Sequence, residues 1–388
     1  MASLDDCRPT VLVFAAALAM RVFGVAVTTA TNLNTYSQAD ANGFSRAAAY
    51  IADGLQNGAY TPPPSLTNTY DTWGTFLAPF WLLPGPSRVY ARLGMALLGA
   101  LAVYNTYIIA RKYGSQQAAV VAVVPLIFYP SVIFVQTTVL REVAVLLGLT
   151  AGARFLAVPS RRLPILVNYG IAGIFLWLSV VLRPDNLPVI GALLILAVVL
   201  NYHQVFIRWW IPYVALLPAM IGTVLAYPRI TEIIRSLAET RRNRAEGRTV
   251  YLEHTFAETV VSATAFSWIG AVYFLFTPFP WMVEQISDMI VFIEALGNLV
   301  FAAFGIWGAR TISKHNLTVG VVLSVGVVLT AVLYGLGTAN VGTAVRHRQM
   351  LIWVIFILGG VGITEKMRFI LGTEDETEQR VQSPSNTQ

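Results

Sequence analysis

The chain is short of charge: only 12% of its 388 residues are Asp, Glu, Lys or Arg, where a soluble domain carries about 25%. With 56% hydrophobic residues and a mean hydropathy of +0.63, that excludes an ordinary soluble protein. Cysteine is nearly absent; Cys7 alone permits no disulfide framework. Lysine is scarce too, with Lys112, Lys314 and Lys366 the only ones among 26 basic residues. The rest are arginines, the better bidentate ligands of phosphate. There is no Walker loop, no dinucleotide-binding glycine fingerprint and no Cys/His metal spacing. His203, His254, His315 and His347 are far apart in sequence, and no Ser-His-Asp arrangement follows from spacing.

What is present is a series of apolar runs, most of them about as long as the roughly 17–25 residues needed to cross a hydrocarbon core. Candidate spans are Thr10 to Thr29, Tyr90 to Ala110, Gln117 to Val135, Val143 to Leu156, Ile165 to Val181 and Pro188 to Asn201. Trp210 to Tyr227, Ile286 to Trp307, Leu317 to Leu336 and Leu351 to Ile363 complete the set, with Val260 to Phe276 ambiguous. The expectation is an all-α polytopic membrane protein of about ten or eleven spans. One membrane domain covers 1–368, followed by a disordered cytoplasmic tail, 369–388. The first run, preceded by Asp5, Asp6 and Arg8, reads as a retained helix and not as a cleaved signal.

The net charge of +6 and pI of 9.5 reflect basic residues scattered at helix ends, which fits membrane topology and lipid phosphate better than nucleic acid. Arg111-Lys112, Arg154 with Arg161-Arg162, and Arg208 fall in alternate short loops, which the positive-inside rule makes cytoplasmic. The loop 30–89, and the turns holding Arg141-Glu142 and Arg183-Pro184-Asp185, are then external. If Val260 to Phe276 is re-entrant or interfacial, Arg310, Lys314, Lys366 and Arg368 are all cytoplasmic and Arg346-His347-Arg348 is external. The segment 228–284, rich in arginine, becomes an external or re-entrant loop.

Within the loop 30–89, Phe44, Ala47, Ala48, Ile51 and Leu55 recur at helical spacing, predicting an amphipathic helix along the bilayer surface. Asp40 heads it. Its plainer role is helix N-cap; its chemical role is a base just outside the bilayer. Asp53 and Asp71 are rival carboxylates in the same loop. Arg21, in mid-span, costs about 2.5–3.5 kcal/mol if unpaired, so it is expected either to be paired inside the bundle or to face a site. The segment Gly342 to Arg348 could cradle an anion through its small residues and its arginines.

The order of these features resembles the GT-C superfamily of polytopic glycosyltransferases, which includes the protein O-mannosyltransferase and aminoarabinose transferase families. The resemblance is carried by Arg21 in the first span and Asp40-x-x-x-Phe44-x-x-Ala47-Ala48 after it. It continues through Arg92-Leu93, Tyr129-Pro130, Arg141-Glu142 and Leu182-Arg183-Pro184. Thr277 to Trp281 and Gly342 to Arg348 are similar to segments of prokaryotic members. The mannosyltransferases commonly have Asp-Glu where this chain has Asp40-Ala41, and no Asp-x-Asp follows in the external loops.

The resemblance implies a sugar donor on a polyprenyl or dolichyl phosphate, and a glycan, lipid or protein acceptor outside the cytoplasm. Displacing a lipid phosphate from an anomeric carbon needs a base for the acceptor hydroxyl and cations for the leaving group. Asp40 is the expected base and Glu142 an orienting residue. Arg183, Arg346 and Arg348 are the phosphate ligands, and Arg141, Asp185 and His347 also line the site. No cofactor is expected, although a metal-dependent variant would use Asp40, Glu142 and Asp185. The alternatives are a polymerase or ligase acting on lipid-linked repeats, and a transporter or flippase of lipid-linked sugar.

Overall fold

The structure is a computed structural model describing residues 4–31, 38–59, 69–202 and 228–382, apart from 244, 246–248, 254 and 256. The expected span Trp210 to Tyr227, with His203, Arg208 and His254, lies outside the described residues. Those residues form helices and no named strand; one isolated bridge joins Val250 and Asn340.

The helices are α1 (Leu4–Thr31), α2 (Gln38–Gln56), α3 (Thr69–Leu77), α4 (Pro79–Leu82) and α5 (Arg88–Tyr113). Next come α6 (Gln116–Phe128), α7 (Pro130–Gln136), α8 (Glu142–Ala157), α9 (Ile165–Leu182) and α10 (Leu187–Asn201). A helical stretch at 228–243 is α11. The set closes with α12 (Val260–Phe276), α13 (Ile286–His315), α14 (Leu317–Gly337) and α15 (Val341–Gln382).

Seven of these pass as membrane spans by length and composition, or eight if α6 and α7 are one broken span. That is fewer than the ten or eleven expected. One expected span is not described, α8 has only 16 residues, and α12 at 17 is a shorter apolar helix. The last span also differs: its helix begins at Val341, ten residues before the expected Leu351, and its backbone continues through Gln382.

Local chemistry fixes the ends. Ser87, Ser115 and Asn316 each accept a backbone N–H from the first turn of the helix that follows, and Thr259 and Ser262 cap α12 reciprocally. α15 is the central helix, packing on α13, α6, α5, α8 and α14. Against α13 it packs closely: Gly308 lies under the Leu358 carbonyl and Gly362 under that of Phe304, where a side chain would collide with backbone.

The expected span Gln117 to Val135 bends by 66° between α6 and α7, and the break is held by buried charge. Arg21 donates to the carbonyl of Leu126, near the end of α6, and through Nε (2.9 Å) and Nη2 (2.6 Å) to Gln136 Oε1. Glu294 Oε1, from α13, accepts the N–H of Ser131 at the start of α7. A cation on freed carbonyls and a carboxylate on freed N–H groups suit the two half-helix dipoles. Gln136 and Gln349 link the two charges, through Gln136 Nε2 to Gln349 Oε1 and Gln349 Nε2 to Ser131 O. Arg21 is therefore paired inside the bundle.

The bundle has two chemically distinct ends. At one, Tyr113 bonds the Ala157 carbonyl, Gly114 meets Val361, and Lys366 lies over the Trp307 ring. Lys112, Arg310 and Lys314 belong to this end. The opposite end holds the starts of α5, α8 and α15 and the end of α9. α12 meets the last turn of α14 there, with Gly270 against Gly335 and Phe274 stacked on Tyr334. Residues flanking α12 on both sides share that end, because Arg241 lies over Tyr251, and stacked or edge-on rings run from it through Tyr273 and Phe279 to Trp281.

Two outcomes are expected. In a Cys7→Ser background, Asn57→Cys reacts with an impermeant thiol reagent from outside intact cells and Lys112→Cys and Lys314→Cys do not; equal labelling of all three contradicts the two-ended distribution of charge. In thermal unfolding, Gln136→Leu leaves Arg21 without its side-chain acceptor and costs about 1.5–3 kcal/mol. The double variant Arg21→Met/Gln136→Leu costs less, since no guanidinium is then left buried without its acceptor. Equal losses would show that Arg21 does not depend on Gln136.

Candidate active site

Glu142 opens α8, just before the apolar run from Val143, and its side chain is 1% exposed. A carboxylate so placed needs cations, and three surround it. Arg346, from the second turn of α15, donates from Nη2 to Glu142 Oε1 at 2.8 Å. Arg183, the C-cap of α9, brings Nη1 to 3.7 Å from the same oxygen. Arg141, its neighbour in sequence, donates to the Leu182 carbonyl at 2.7 Å and so ties the head of α8 to the end of α9. Burial alone would push the Glu142 carboxyl up; the guanidiniums of Arg346, Arg183 and Arg141 outweigh it and hold the pKa at about 2.

Arg346 uses its other arm on Asp40, with Nη1 to Oδ2 at 2.6 Å. α2 begins at Gln38, so Asp40 lies inside the first turn and is not the N-cap that sequence position suggested. An acid there still suits the helix dipole. Its second oxygen, Oδ1, accepts from the Tyr70 hydroxyl at 3.1 Å. Tyr70 reaches it by crossing α2 at Gly43, where a Cβ would collide with the ring. Burial and then the charge of Asp40 push the Tyr70 phenol up, keeping it a donor.

α2 is amphipathic as predicted, but Phe44, Ala48 and Ile51 are buried against protein. Their cluster includes Trp73, Leu77 and Trp81 from α3 and α4. Trp73 Nε1 donates to the Val139 carbonyl at 2.7 Å, pinning α3 to the turn before Arg141. The helix runs past Gly54 to Gln56, and Leu55 is exposed.

The far side of the cluster is built on His347. Arg183 Nη2 lies 2.7 Å from His347 Nε2; since a guanidinium only donates, that nitrogen accepts and the ring is neutral with its proton on Nδ1. Arg183 also stacks over Tyr334, whose hydroxyl donates to Asn186 Oδ1 at 2.9 Å. Asp185 is at the rim, 61% exposed, 3.8 Å from Arg183 Nε.

Of the eight residues singled out in sequence, Asp40, Arg141, Glu142, Arg183, Asp185, Arg346 and His347 thus come together. Arg348 does not. It is buried and donates to the carbonyls of Leu275 and Thr277. Because the segment is helical from Val341, residues 346 and 348 are about 200° apart around the axis; the expectation that both arginines face one anion assumed a non-helical cradle. Asp53 is distant and accepts from Asn57, while Asp71 sits in the first turn of α3. Arg92 is structural, donating to Thr28, Thr29 and the Thr137 carbonyl. Tyr70, Asn186 and Tyr334 were not singled out, since a lone Tyr or Asn between apolar runs carries no chemical signature. Glu294 was also missed, although an acid in mid-span was a readable signal.

Asp40 and Glu142 have a guanidinium between them, and among the described residues no group of three His, Cys, Asp or Glu side chains is arranged to hold a metal ion. Comparisons of the chain with protein-family models, curated proteins and solved structures find no match.

The burial of the two carboxylates sets an order of damage. Glu142→Gln leaves Arg346 and Arg183 without their buried counter-charge and lowers thermal stability by roughly 3 kcal/mol or more. Asp40→Asn, at a part-exposed position, costs about 1 kcal/mol or less. Because the Glu142 pKa is depressed on folding, its contribution is complete above the usual carboxylate range of about 4.5 and is lost as pH falls toward about 2. Thermal melts from pH 7 to 3 check this: the wild type should lose stability steeply only below about pH 4.5, with that limb flattened in Glu142→Gln.

Proposed function

We propose that the chain is a GT-C-like membrane glycosyltransferase. It moves a sugar from a polyprenyl or dolichyl phosphate to a glycan, lipid or protein acceptor on the extracytoplasmic face. The observation that carries the reading is the division of labour around Arg346, which bonds one carboxylate at 37% exposure and one at 1%. Asp40 is reachable by an acceptor hydroxyl. Glu142 is not, and serves to hold the arginines.

The chemistry fits that division. Asp40 takes the hydroxyl proton as the acceptor oxygen attacks the anomeric carbon, and the bond to the phosphate oxygen breaks. Arg346 and Arg183 neutralise the departing phosphate. Phosphate needs no protonation to leave, so one carboxylate suffices, whereas a glycosidase usually needs two. Tyr70 fixes the base through Oδ1. His347 and Tyr334 keep Arg183 oriented. No cofactor is required.

A second reading, a translocator of lipid-linked sugar, draws on the buried polar chain from Arg21 to Glu294. That chain is largely closed by its own hydrogen bonds and braces a helix break, so the transferase reading is preferred. A polymerase or ligase of lipid-linked repeats would use the same base and arginines with a larger acceptor.

With radiolabelled polyprenyl-phosphate sugar and membranes containing the protein, Asp40→Asn should retain the donor and lose transfer by about 100-fold or more. Arg183→Ala should weaken donor binding as well as turnover, because the phosphate is charged in both ground and transition states. Near-normal transfer by Asp40→Asn, with loss in Asp53→Asn, would move the base elsewhere. Label crossing the membrane without a new glycosidic bond would favour the translocator.

A further inference from the structure

Among the described residues the cluster has no spare positive charge at rest. Three arginines, Arg141, Arg183 and Arg346, face three carboxylates, Asp40, Glu142 and Asp185, and His347 is neutral. A phosphate entering such a site would meet cations already compensated, so binding requires that a carboxylate give way. Glu142 is enclosed and bonded to Arg346, with Arg183 alongside. Asp185 is mostly in water and lies beyond hydrogen-bond distance of Arg183, so moving it frees little. Asp40 alone combines a hydrogen-bonded hold on an arginine with access to solvent.

Donors remain unused in the cluster. Arg183 Nε and Nη1 and Arg346 Nε are buried and make no hydrogen bond among the described residues. Release of Asp40 Oδ2 adds Arg346 Nη1, giving one oxyanion donors from two guanidiniums. The departing carboxylate keeps its other anchor, because Tyr70 bonds the other oxygen, Oδ1.

We infer that a phosphate oxyanion binds here by displacing Asp40 from Arg346, so that the anion's arrival frees the carboxylate oxygen that acts as base. The inference rests on the phosphate site of the proposed transferase and adds its regulation. With no phosphate bound, Arg346 neutralises the base; with phosphate bound, the base is free and held by Tyr70. The site is thereby kept from activating a hydroxyl, or water, before a donor is in place.

The exchange makes Asp40 a competitor of the anion, and that gives a test with an unusual sign. The full chain in zwitterionic nanodiscs is titrated calorimetrically with farnesyl phosphate and, separately, with inorganic phosphate. Asp40→Asn should bind farnesyl phosphate tighter than wild type by roughly two- to fivefold, the range expected for removing one part-exposed ion pair. Arg346→Gln should lose binding. If Asp40→Asn binds equally or more weakly while Arg346→Gln still loses binding, the exchange is wrong and the phosphate site survives. If neither wild type nor Asp40→Asn binds either probe, the exchange and the donor site fall together. If inorganic phosphate is bound as well as farnesyl phosphate and is tightened equally by Asp40→Asn, the exchange stands and the lipid-donor reading falls. Asp40→Ser is run beside Asp40→Asn; should neither fold, Asp40 is an anchor that cannot be released, and the inference is overturned.

Discussion

A carboxylate buried at the head of a helix inside the bundle cannot be left alone, and Glu142 imposes that requirement on everything around it. Its counter-charge has to come from side chains rigid enough to stay there without water, and arginine meets this better than lysine because its planar fork is fixed and always charged. Arg346 and Arg183 come from different helices, so satisfying Glu142 also registers α15 and α9 against α8. Arg346 then has an arm left over. That arm reaches Asp40 and ties α2 to the bundle. The geometry of the proposed base is in this sense a consequence of how Glu142 is neutralised.

The second charged network obeys the same physics with another outcome. Arg21 and Glu294 lie deep in the bundle, and each serves a half-helix end exposed by the bend between α6 and α7. Gln136 and Gln349 connect them, and Gly99 leaves space beside the Arg21 guanidinium. An unpaired charge at that depth would cost several kcal/mol; here it is offset by backbone groups that would otherwise be unsatisfied themselves. The network is compact and inward, with no route to solvent among its bonded members. The cluster at Glu142 differs in having one member, Asp40, that opens outward.

Much of the site was legible because charge is scarce in this sequence. Arg141, Glu142, Arg183 and Arg346 interrupt apolar runs, and in a membrane chain each such interruption demands a partner. Their sharing of one end followed from charge alternation between loops. The misreadings have equally definite causes. Gly342, Thr343 and Ala344 look like a loop, yet in a bundle small residues let a helix start close to its neighbours, and helical spacing then separates Arg346 from Arg348. Pro130 breaks a helix while Pro125, five residues earlier, sits inside α6; only the availability of Arg21 and Glu294 to receive the freed backbone groups distinguishes them. Nothing local to Tyr70 reveals that it crosses α2 at Gly43. The spacing of Phe44, Ala48 and Ile51 showed that α2 has an apolar face and could not say whether lipid or α3 covers it.

The two networks also differ in what a small displacement would do. Moving Arg21 would strand a helix break in apolar surroundings, so the deep network resists change. Moving Asp40 away from Arg346 takes a part-exposed carboxylate toward water, which costs less than breaking an enclosed pair, and leaves Glu142 neutralised by the same Arg346. The proposed transferase, which would accept and release a charged lipid in every turnover, needs an ion pair of the second kind, resting on a foundation of the first. The sequence distributes its few charges in that way, with the enclosed carboxylate fixing the arginines and the accessible one free to exchange.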